Sequence, residues 1–133
     1  MRACSTAMAL EPAATVGIVD SDAAVRSAVS LLVRSCGWEP ASFAGGAQFL
    51  AAVTDAWPAC ALLDLHMPGM DGLSVQRELT RRGFNLPVIF TTIFHDHPLV
   101  EKALEMGAFR VIPKPFRPDE LTDAIASAVN SLA

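Results

Sequence analysis

The chain has 133 residues, 52% of them hydrophobic, and a formal net charge of −4 at pH 7. A chain of this size can bury one substantial core, which excludes disorder for most of its length. Lysines and arginines are scattered rather than clustered, so we expect no direct binding of nucleic acid. No apolar run is long enough to cross a bilayer. The three cysteines lack metal-type spacing, so we expect a cytoplasmic protein with no membrane partner.

Short apolar runs alternate along the chain with longer segments of helical period. Strands are predicted at residues 15–19, 38–43, 60–63, 87–92 and 109–112, and helices at 22–36, 47–53, 73–82, 98–106 and from 118 onward. Ser21 or Asp22 can cap the first helix, and Gly37 can end it in a left-handed turn. Five strand–helix pairs predict an α/β fold, a doubly wound parallel sheet with helices on both faces. Residues 1–13 are expected to form a flexible tail and 14–133 a single domain.

Polar residues follow the predicted strands where each strand ends. Asp20 follows the first strand, Asp64 follows the third, Thr92 ends the fourth, and Lys114 lies just past the fifth. Because the carboxyl ends of parallel strands meet at one edge of a sheet, we expect these side chains to converge. Clustered carboxylates need a hard cation such as Mg²⁺, beside which a carboxylate can attack a phosphorus centre. The hydroxyl and the ammonium would then compensate the phosphoryl oxygens.

Four segments of the chain carry a family resemblance. They are IVDSD at 18–22, LLDLHMPGMDG at 62–72, LPVIFTT at 86–92 and Lys-Pro-Phe at 114–116. In this order they resemble the receiver domain of bacterial two-component response regulators, over nearly the whole chain from about Thr15 to Leu132. The sequence of these segments is similar to that of the receiver branch often fused to a helix-turn-helix DNA-binding domain. The resemblance implies a flavodoxin-like sheet of five parallel strands in the order 2-1-3-4-5.

The resemblance also implies a role for each residue of the site. Asp64 would be the phosphoacceptor, Thr92 the switch hydroxyl, with Thr91 as its rival, and Lys114 the phosphoryl-binding lysine before a cis peptide to Pro115. Mg²⁺ would be bound by Asp20, by Asp64 and by the backbone carbonyl of His66. A sensor histidine kinase would supply the phosphoryl group, and helices 4 and 5 would contact an output domain or form a homodimer. Such a domain is a phosphoacceptor, with at most slow self-dephosphorylation, rather than an enzyme.

Three residues depart from the family pattern. Ser21 stands where a second acid is usual, so we expect weaker Mg²⁺ binding, unless Asp20 or the displaced Asp22 compensates. Ile93 follows the switch hydroxyl, where a very small residue is usual, and could crowd the path of the phosphoryl group. Val111 replaces the aromatic residue whose rotamer often follows the switch. Loss of one charge at about 4 Å removes on the order of 4 kcal/mol of raw attraction at an effective dielectric near 20.

Two other functions are open. One is a receiver that acts as a protein-binding module without phosphorylation, and the other is a hydrolase of small phosphoesters with Asp64 as a transient nucleophile. Several residues have simpler interpretations. Asp22 is expected in the first turn of a helix rather than on a metal, and Asp71 in a turn with Gly72. The loop with His95, Asp96 and His97 is expected to expose its side chains rather than to bind metal. The His66 side chain lies near the acceptor or is merely exposed.

Overall fold

The computed structural model describes residues 14–53, 57–93 and 98–131. The expected tail at 1–13, the loop with His95, Asp96 and His97, and residue 132 of the last predicted helix lie outside these residues. The strands are β1 (Thr15–Val19), β2 (Glu39–Phe43), β3 (Cys60–Asp64), β4 (Val88–Thr92) and β5 (Arg110–Pro113). The helices are α1 (Ala23–Ser35), α2 (Gly46–Ala52), α3 (Gly72–Arg81), α4 (Pro98–Glu105) and α5 (Pro118–Asn130).

All five strands form one parallel sheet in the order β2-β1-β3-β4-β5. The predicted fold class and strand order are therefore confirmed. The central neighbours are β1 and β3, whose last ladder pair joins Val19 to Leu63. Since Asp20 and Asp64 each follow a member of that pair, the strand order brings the two acids side by side.

Helices cover both faces of the sheet, because alternate strand residues point to opposite sides. In β3, Ala61 and Leu63 pack on the face of α2, α3 and α4, whereas Cys60 and Leu62 pack on the face of α1 and α5. Cys60 is a buried free thiol whose pKa burial raises to about 12, so it behaves as a core residue. Within the described residues, no helix has the length and apolarity that a membrane span requires.

Side-chain caps mark where α1 and α3 begin. Of the two predicted candidates at α1, Asp22 is the N-cap and accepts a hydrogen bond from the Ala24 amide at 2.9 Å. Asp71 caps α3 by accepting from the Ser74 amide at 2.9 Å. Gly37 follows α1 with a φ of 88°, as predicted, so the chain can reverse there without a Cβ clash.

Two element boundaries differ from the sequence prediction in ways that concern the site. Asp64 is the last residue of β3 rather than the first residue of the loop, so its backbone is fixed by the sheet. Gly72 begins α3 and lies so close to β3 that an added Cβ would be 2.7 Å from the Asp64 carbonyl oxygen and 2.8 Å from Phe90 Cε1. Only glycine allows this close approach of the helix to the strand.

The two tryptophans have different surroundings. Trp38 packs against the cluster under α1 and α5. Trp57 is 48% exposed, although its ring packs edge-on against Phe84 with centroids 4.5 Å apart. Trp38 is therefore a packing residue of the core edge, whereas about half of Trp57 is exposed.

Candidate functional site

The two acids at the centre of the sheet form the base of the candidate site. Asp20 is 4% exposed and Asp64 is 9% exposed, so both carboxylates are largely withdrawn from water. Each is held by a short turn. Asp20 Oδ1 accepts from the Asp22 amide at 2.9 Å, and Asp64 Oδ1 accepts from the His66 amide at 3.2 Å. These bonds between a carboxylate and the amide two residues on orient both side chains before any ligand arrives.

Lys114 joins the two acids from the end of β5. Its Nζ lies 2.9 Å from Asp20 Oδ2 and 3.5 Å from Asp64 Oδ2. The predicted cis peptide between Lys114 and Pro115 is present, and the Lys114 amide donates to the Thr92 carbonyl at 2.7 Å. The convergence predicted from the strand ends is thus confirmed for the three charged residues. The ammonium lies closer to Asp20 than to Asp64, the expected phosphoacceptor.

The surroundings raise the pKa of both Asp64 and Lys114, with opposite consequences for the charged form of each. Burial raises the pKa of Asp64, and the neighbouring carboxylate of Asp20 raises it further, while Lys114 and the His66 amide oppose the shift. Burial would lower the pKa of Lys114, but its bonds and attraction to Asp20 and Asp64 outweigh that effect and raise it. The ammonium is therefore held charged, whereas the Asp64 carboxylate is destabilised in its ionised form. A destabilised anion beside a cation is suited to covalent capture of an electrophile.

The hydroxyl candidates lie at the end of β4. Thr91 is the ladder partner of Asp64, and Thr92 is fully buried one residue further along the strand. Thr91 also lines a small cavity beside Asp20 on the face of α1 and α5. The choice of Thr92 as the switch hydroxyl stays a prediction.

The two departures near the switch have clear positions. Ile93 is 59% exposed directly after Thr92, so its bulk lies at the surface rather than in the core. Val111 is the ladder partner of Phe90 and packs against the cluster under α2, α3 and α4. An aliphatic side chain held in this packing cannot make the ring movement of an aromatic residue. That Ile93 crowds the phosphoryl path stays a prediction.

The loop after β1 supplies few metal ligands. Ser21 and Asp22 are exposed, and the Asp22 carboxylate is engaged as the α1 cap, as expected of a helix-terminal acid. No group of three or more His, Cys, Asp or Glu side chains able to hold a cation occurs in the described part of the chain. The oxygen ligands expected from the resemblance are the carboxylates of Asp20 and Asp64, which the structure brings together at Lys114, and the carbonyl of His66, whose role stays a prediction. This hard-oxygen set fits Mg²⁺, which keeps several waters and takes one or two protein carboxylates.

One contact in this region was not foreseen from the sequence. The Arg26 guanidinium donates through Nη1 to the Asp20 backbone carbonyl at 2.7 Å. A signal was available in the sequence, because Arg26 is a cation close to the N-terminus of α1, where the helix dipole disfavours positive charge. A residue in an unfavourable place often has a specific partner.

Comparison with known proteins places the chain in a family. The family model described as the response regulator receiver domain matches residues 16–126. The chain belongs to the response regulator receiver domain family. Receiver domains act in two-component signalling, and phosphorylation and magnesium are general features of the family.

Several individual proteins are similar to this receiver domain. The response regulator protein TodT of Pseudomonas putida is 41% identical over 117 residues, which are 88% of this chain and 52% of TodT. Response regulator StyR is 36% identical in a solved structure with a TM-score of 0.82, over 88% of this chain and 59% of that one. The crystal structure of FixJ-N is 31% identical with a TM-score of 0.84, over 90% of this chain and 96% of that one. The chain thus spans about half the length of curated relatives such as TodT.

Proposed function

We propose that this receiver domain accepts a phosphoryl group on Asp64 from a phosphohistidine of a sensor kinase, in a two-component signalling pathway of the cytoplasm. The observation that carries the proposal is the arrangement of charges at the sheet edge. A buried Asp64 carboxylate lies beside the Asp20 carboxylate and within 3.5 Å of the Lys114 ammonium. The family membership supports the same reaction, since phosphorylation is general among receiver domains.

In the proposed reaction, one Asp64 oxygen attacks the phosphorus of the phosphohistidine. The new O–P bond forms as the P–N bond breaks, and the imidazole nitrogen keeps the electron pair and takes up a proton from solvent. Oδ1 accepts a hydrogen bond from the His66 amide, and Oδ2 faces Lys114. The turn at His66 thus orients the nucleophile before the donor arrives.

Mg²⁺, bound by Asp20, Asp64 and the His66 carbonyl, would supply positive charge at the phosphoryl oxygens. Lys114 supplies a second positive charge from the carboxyl end of β5, and Thr92 is proposed as the hydroxyl donor. Because the Lys114 ammonium has three donors on a flexible stem, it can keep Asp20 while turning toward a new oxygen on Asp64. The residues of this chain therefore bind, orient and neutralise, and they need not transfer a proton themselves.

The test is formation of an acyl phosphate under defined conditions. The protein is incubated with acetyl phosphate and Mg²⁺, and intact mass spectrometry should show one added phosphoryl group on the wild type and none on Asp64→Ala. Asp71→Ala is the matched control, because it removes a carboxylate of the same loop that caps α3 instead of facing Lys114. An adduct that persists in Asp64→Ala, or a wild type that gains no mass, would contradict the proposal.

A second candidate function is a receiver that binds partners without phosphorylation. It is favoured by the loop after β1, where Ser21 is exposed and Asp22 is occupied as a helix cap. If the missing acid limits metal binding, Ser21→Asp should tighten Mg²⁺ binding about tenfold, which corresponds to about 1.4 kcal/mol of the raw attraction from one added charge. Isothermal titration of the wild type and of Ser21→Asp with Mg²⁺ measures this difference in affinity. Equal affinities would mean that position 21 does not explain any loss of phosphorylation.

The partners of the domain follow from the same proposal. A sensor histidine kinase is the proposed donor, and helices α4 and α5 are the proposed face for an output domain or a second copy of the domain. DNA binding is proposed to lie outside this domain. NtrC of Escherichia coli, 34% identical over 115 residues, is described as a DNA-binding transcriptional regulator, and this chain covers 24% of its length. Residues 14–133 are proposed to form the receiver domain.

A further inference from the structure

We infer that Arg26 is a positioning residue for the metal-binding acid Asp20. The inference rests on the proposed function, because it concerns the same site. The Arg26 guanidinium donates to the Asp20 carbonyl oxygen at 2.7 Å, and the Arg26 amide donates to the Asp22 carbonyl at 3.0 Å. One residue thus ties both ends of the three-residue loop between β1 and α1.

Within the part of the chain that the structure describes, Asp20 takes part in four hydrogen bonds, of which the Arg26 bond is one. Its amide donates to the Phe43 carbonyl at 3.2 Å, its Oδ1 accepts from the Asp22 amide, and its Oδ2 accepts from Lys114. The Arg26 bond is the one that fixes the peptide plane between Asp20 and Ser21. Without that bond the peptide between Asp20 and Ser21 can turn, and we expect the next amide along the chain, that of Asp22, to hold Oδ1 of the carboxylate less firmly.

The orientation of the Asp20 carboxylate is especially important in this chain. Where the family pattern has two acids after β1, this chain has Asp20 followed by the neutral Ser21. With a single carboxylate from this loop, metal affinity depends on how well that carboxylate is oriented. Residues that orient metal ligands without touching the metal typically contribute tenfold or more to affinity.

The place of Arg26 in α1 separates positioning from fold stability. Arg26 is the fourth residue of the helix, where the N-terminal dipole disfavours a cation. Its replacement by Met removes that repulsion and keeps a long apolar stem, so the fold should lose little stability. Removal of a cation near the site would also favour Mg²⁺ by simple Coulomb attraction. Positioning predicts weaker Mg²⁺ binding in the Met variant, whereas charge alone predicts tighter binding.

The experiment compares Arg26→Met, Arg26→Lys and the control Arg34→Met by Mg²⁺ titration and by amide hydrogen exchange without metal. Arg34 is an exposed arginine of the last turn of α1, about 12 Å further along the helix, so its loss makes the same charge change away from the site. We expect Arg26→Met to raise the Mg²⁺ dissociation constant about tenfold and to speed exchange of the Asp22 amide. Arg26→Lys, which keeps a donor and the charge, should lie between Arg26→Met and the wild type, and Arg34→Met should change neither quantity.

Unchanged or tighter Mg²⁺ binding, together with unchanged exchange at Asp22, would overturn the inference. An Arg26→Met protein that fails to fold would also overturn it, because Arg26 would then be a structural residue. The hydrogen-exchange measurement needs neither metal nor phosphorylation. If the wild type binds no Mg²⁺ or gains no phosphoryl group, the proposed function fails, while exchange at Asp22 still decides the role of Arg26.

Discussion

The loop after β1 and the loop after β3 share a hydrogen-bonding pattern but differ in length and in the residues that they contain. A buried aspartate stands where each strand gives way to its loop, Asp20 directly after β1 and Asp64 as the last residue of β3. In both, Oδ1 accepts from the amide two residues on, Asp20 from Asp22 and Asp64 from His66. Each ends with an aspartate that caps the next helix, Asp22 on α1 and Asp71 on α3. The first loop, 20–22, has three residues and an exposed Ser21, whereas the second, 65–71, has seven and is followed by the tightly packed Gly72.

The two loops also differ in how close their aspartates lie to Lys114. Lys114 is 2.9 Å from Asp20 and 3.5 Å from Asp64, so the first acid is the better neutralised one. The second acid remains largely buried with a raised pKa. The first loop is therefore suited to hold charge in place, and the second to present a reactive oxygen.

The largest expected effect concerns packing under the second loop. Gly72→Ala would place a Cβ 2.7 Å from the Asp64 carbonyl oxygen and 2.8 Å from Phe90 Cε1. We expect a loss of about 2 to 3 kcal/mol in the free energy of unfolding, because the backbone must shift to relieve the contact. Urea denaturation measures it. Gly45→Ala is the matched control, since its added Cβ meets only the flexible end of Gln48, and an equal loss there would refute the packing argument.

A pair of charge deletions should move stability in opposite directions. Asp20→Asn removes the closer partner of Lys114 and should lower the free energy of unfolding by about 1 kcal/mol or somewhat more. Asp64→Asn removes a desolvated charge while leaving the Lys114–Asp20 pair intact, and should raise it by up to about 1 kcal/mol. Denaturation of both variants at neutral pH tests the comparison. If both variants changed the free energy of unfolding in the same direction, the two acids would not differ in the way described.

The pH dependence of stability should sharpen the same contrast. Because the pKa of Asp64 is raised above its ordinary value of 3.8, the folded protein holds this proton more tightly than the unfolded chain. Its contribution to the free energy of unfolding therefore increases as the pH falls from neutral through the raised pKa toward 3.8. The difference in stability between the wild type and Asp64→Asn isolates this contribution. If that difference stayed constant over the range, Asp64 would not be a destabilised anion.

The smallest effect is expected at the two caps. Asn caps helices about as well as Asp, so Asp22→Asn should change the free energy of unfolding by no more than a few tenths of a kcal/mol. If Asp22 only caps α1, the variant should also bind Mg²⁺ with nearly unchanged affinity by isothermal titration. Asp71→Asn at the second loop gives the parallel measurement. A clear loss of Mg²⁺ affinity in Asp22→Asn alone would make Asp22 a substitute for the missing acid at position 21.

Much of the fold could be predicted because its signals are local. The run from Thr15 to Val19 is rich in β-branched residues and is a strand with the same bounds in the structure. Asp22 and Gly37 mark the two ends of α1 by ordinary capping chemistry. The meeting of Asp20, Asp64 and Lys114 could also be predicted, since parallel strands end at one edge.

The rest depends on distances that no local pattern encodes. Lys114 could have favoured either acid, and its preference for Asp20 results from where β5 ends relative to β1 and β3. The extension of β3 through Asp64 depends on its ladder pairing with Thr91 across the sheet. The bond from Arg26 to the Asp20 carbonyl requires the helix to start where it does, which the sequence fixes only to within a few residues.

The bond between Lys114 and Asp20 spans 94 positions of sequence, and this has a practical use. A nick at the exposed turn of Arg82 and Gly83 would leave both acids on one fragment and the lysine on the other. Neither fragment alone would contain the full charge arrangement. On the proposed function, capture of beryllofluoride, an analogue of the phosphoryl group, by a mixture of the two would report that the halves had reassembled, which would make the domain a candidate scaffold for a split sensor.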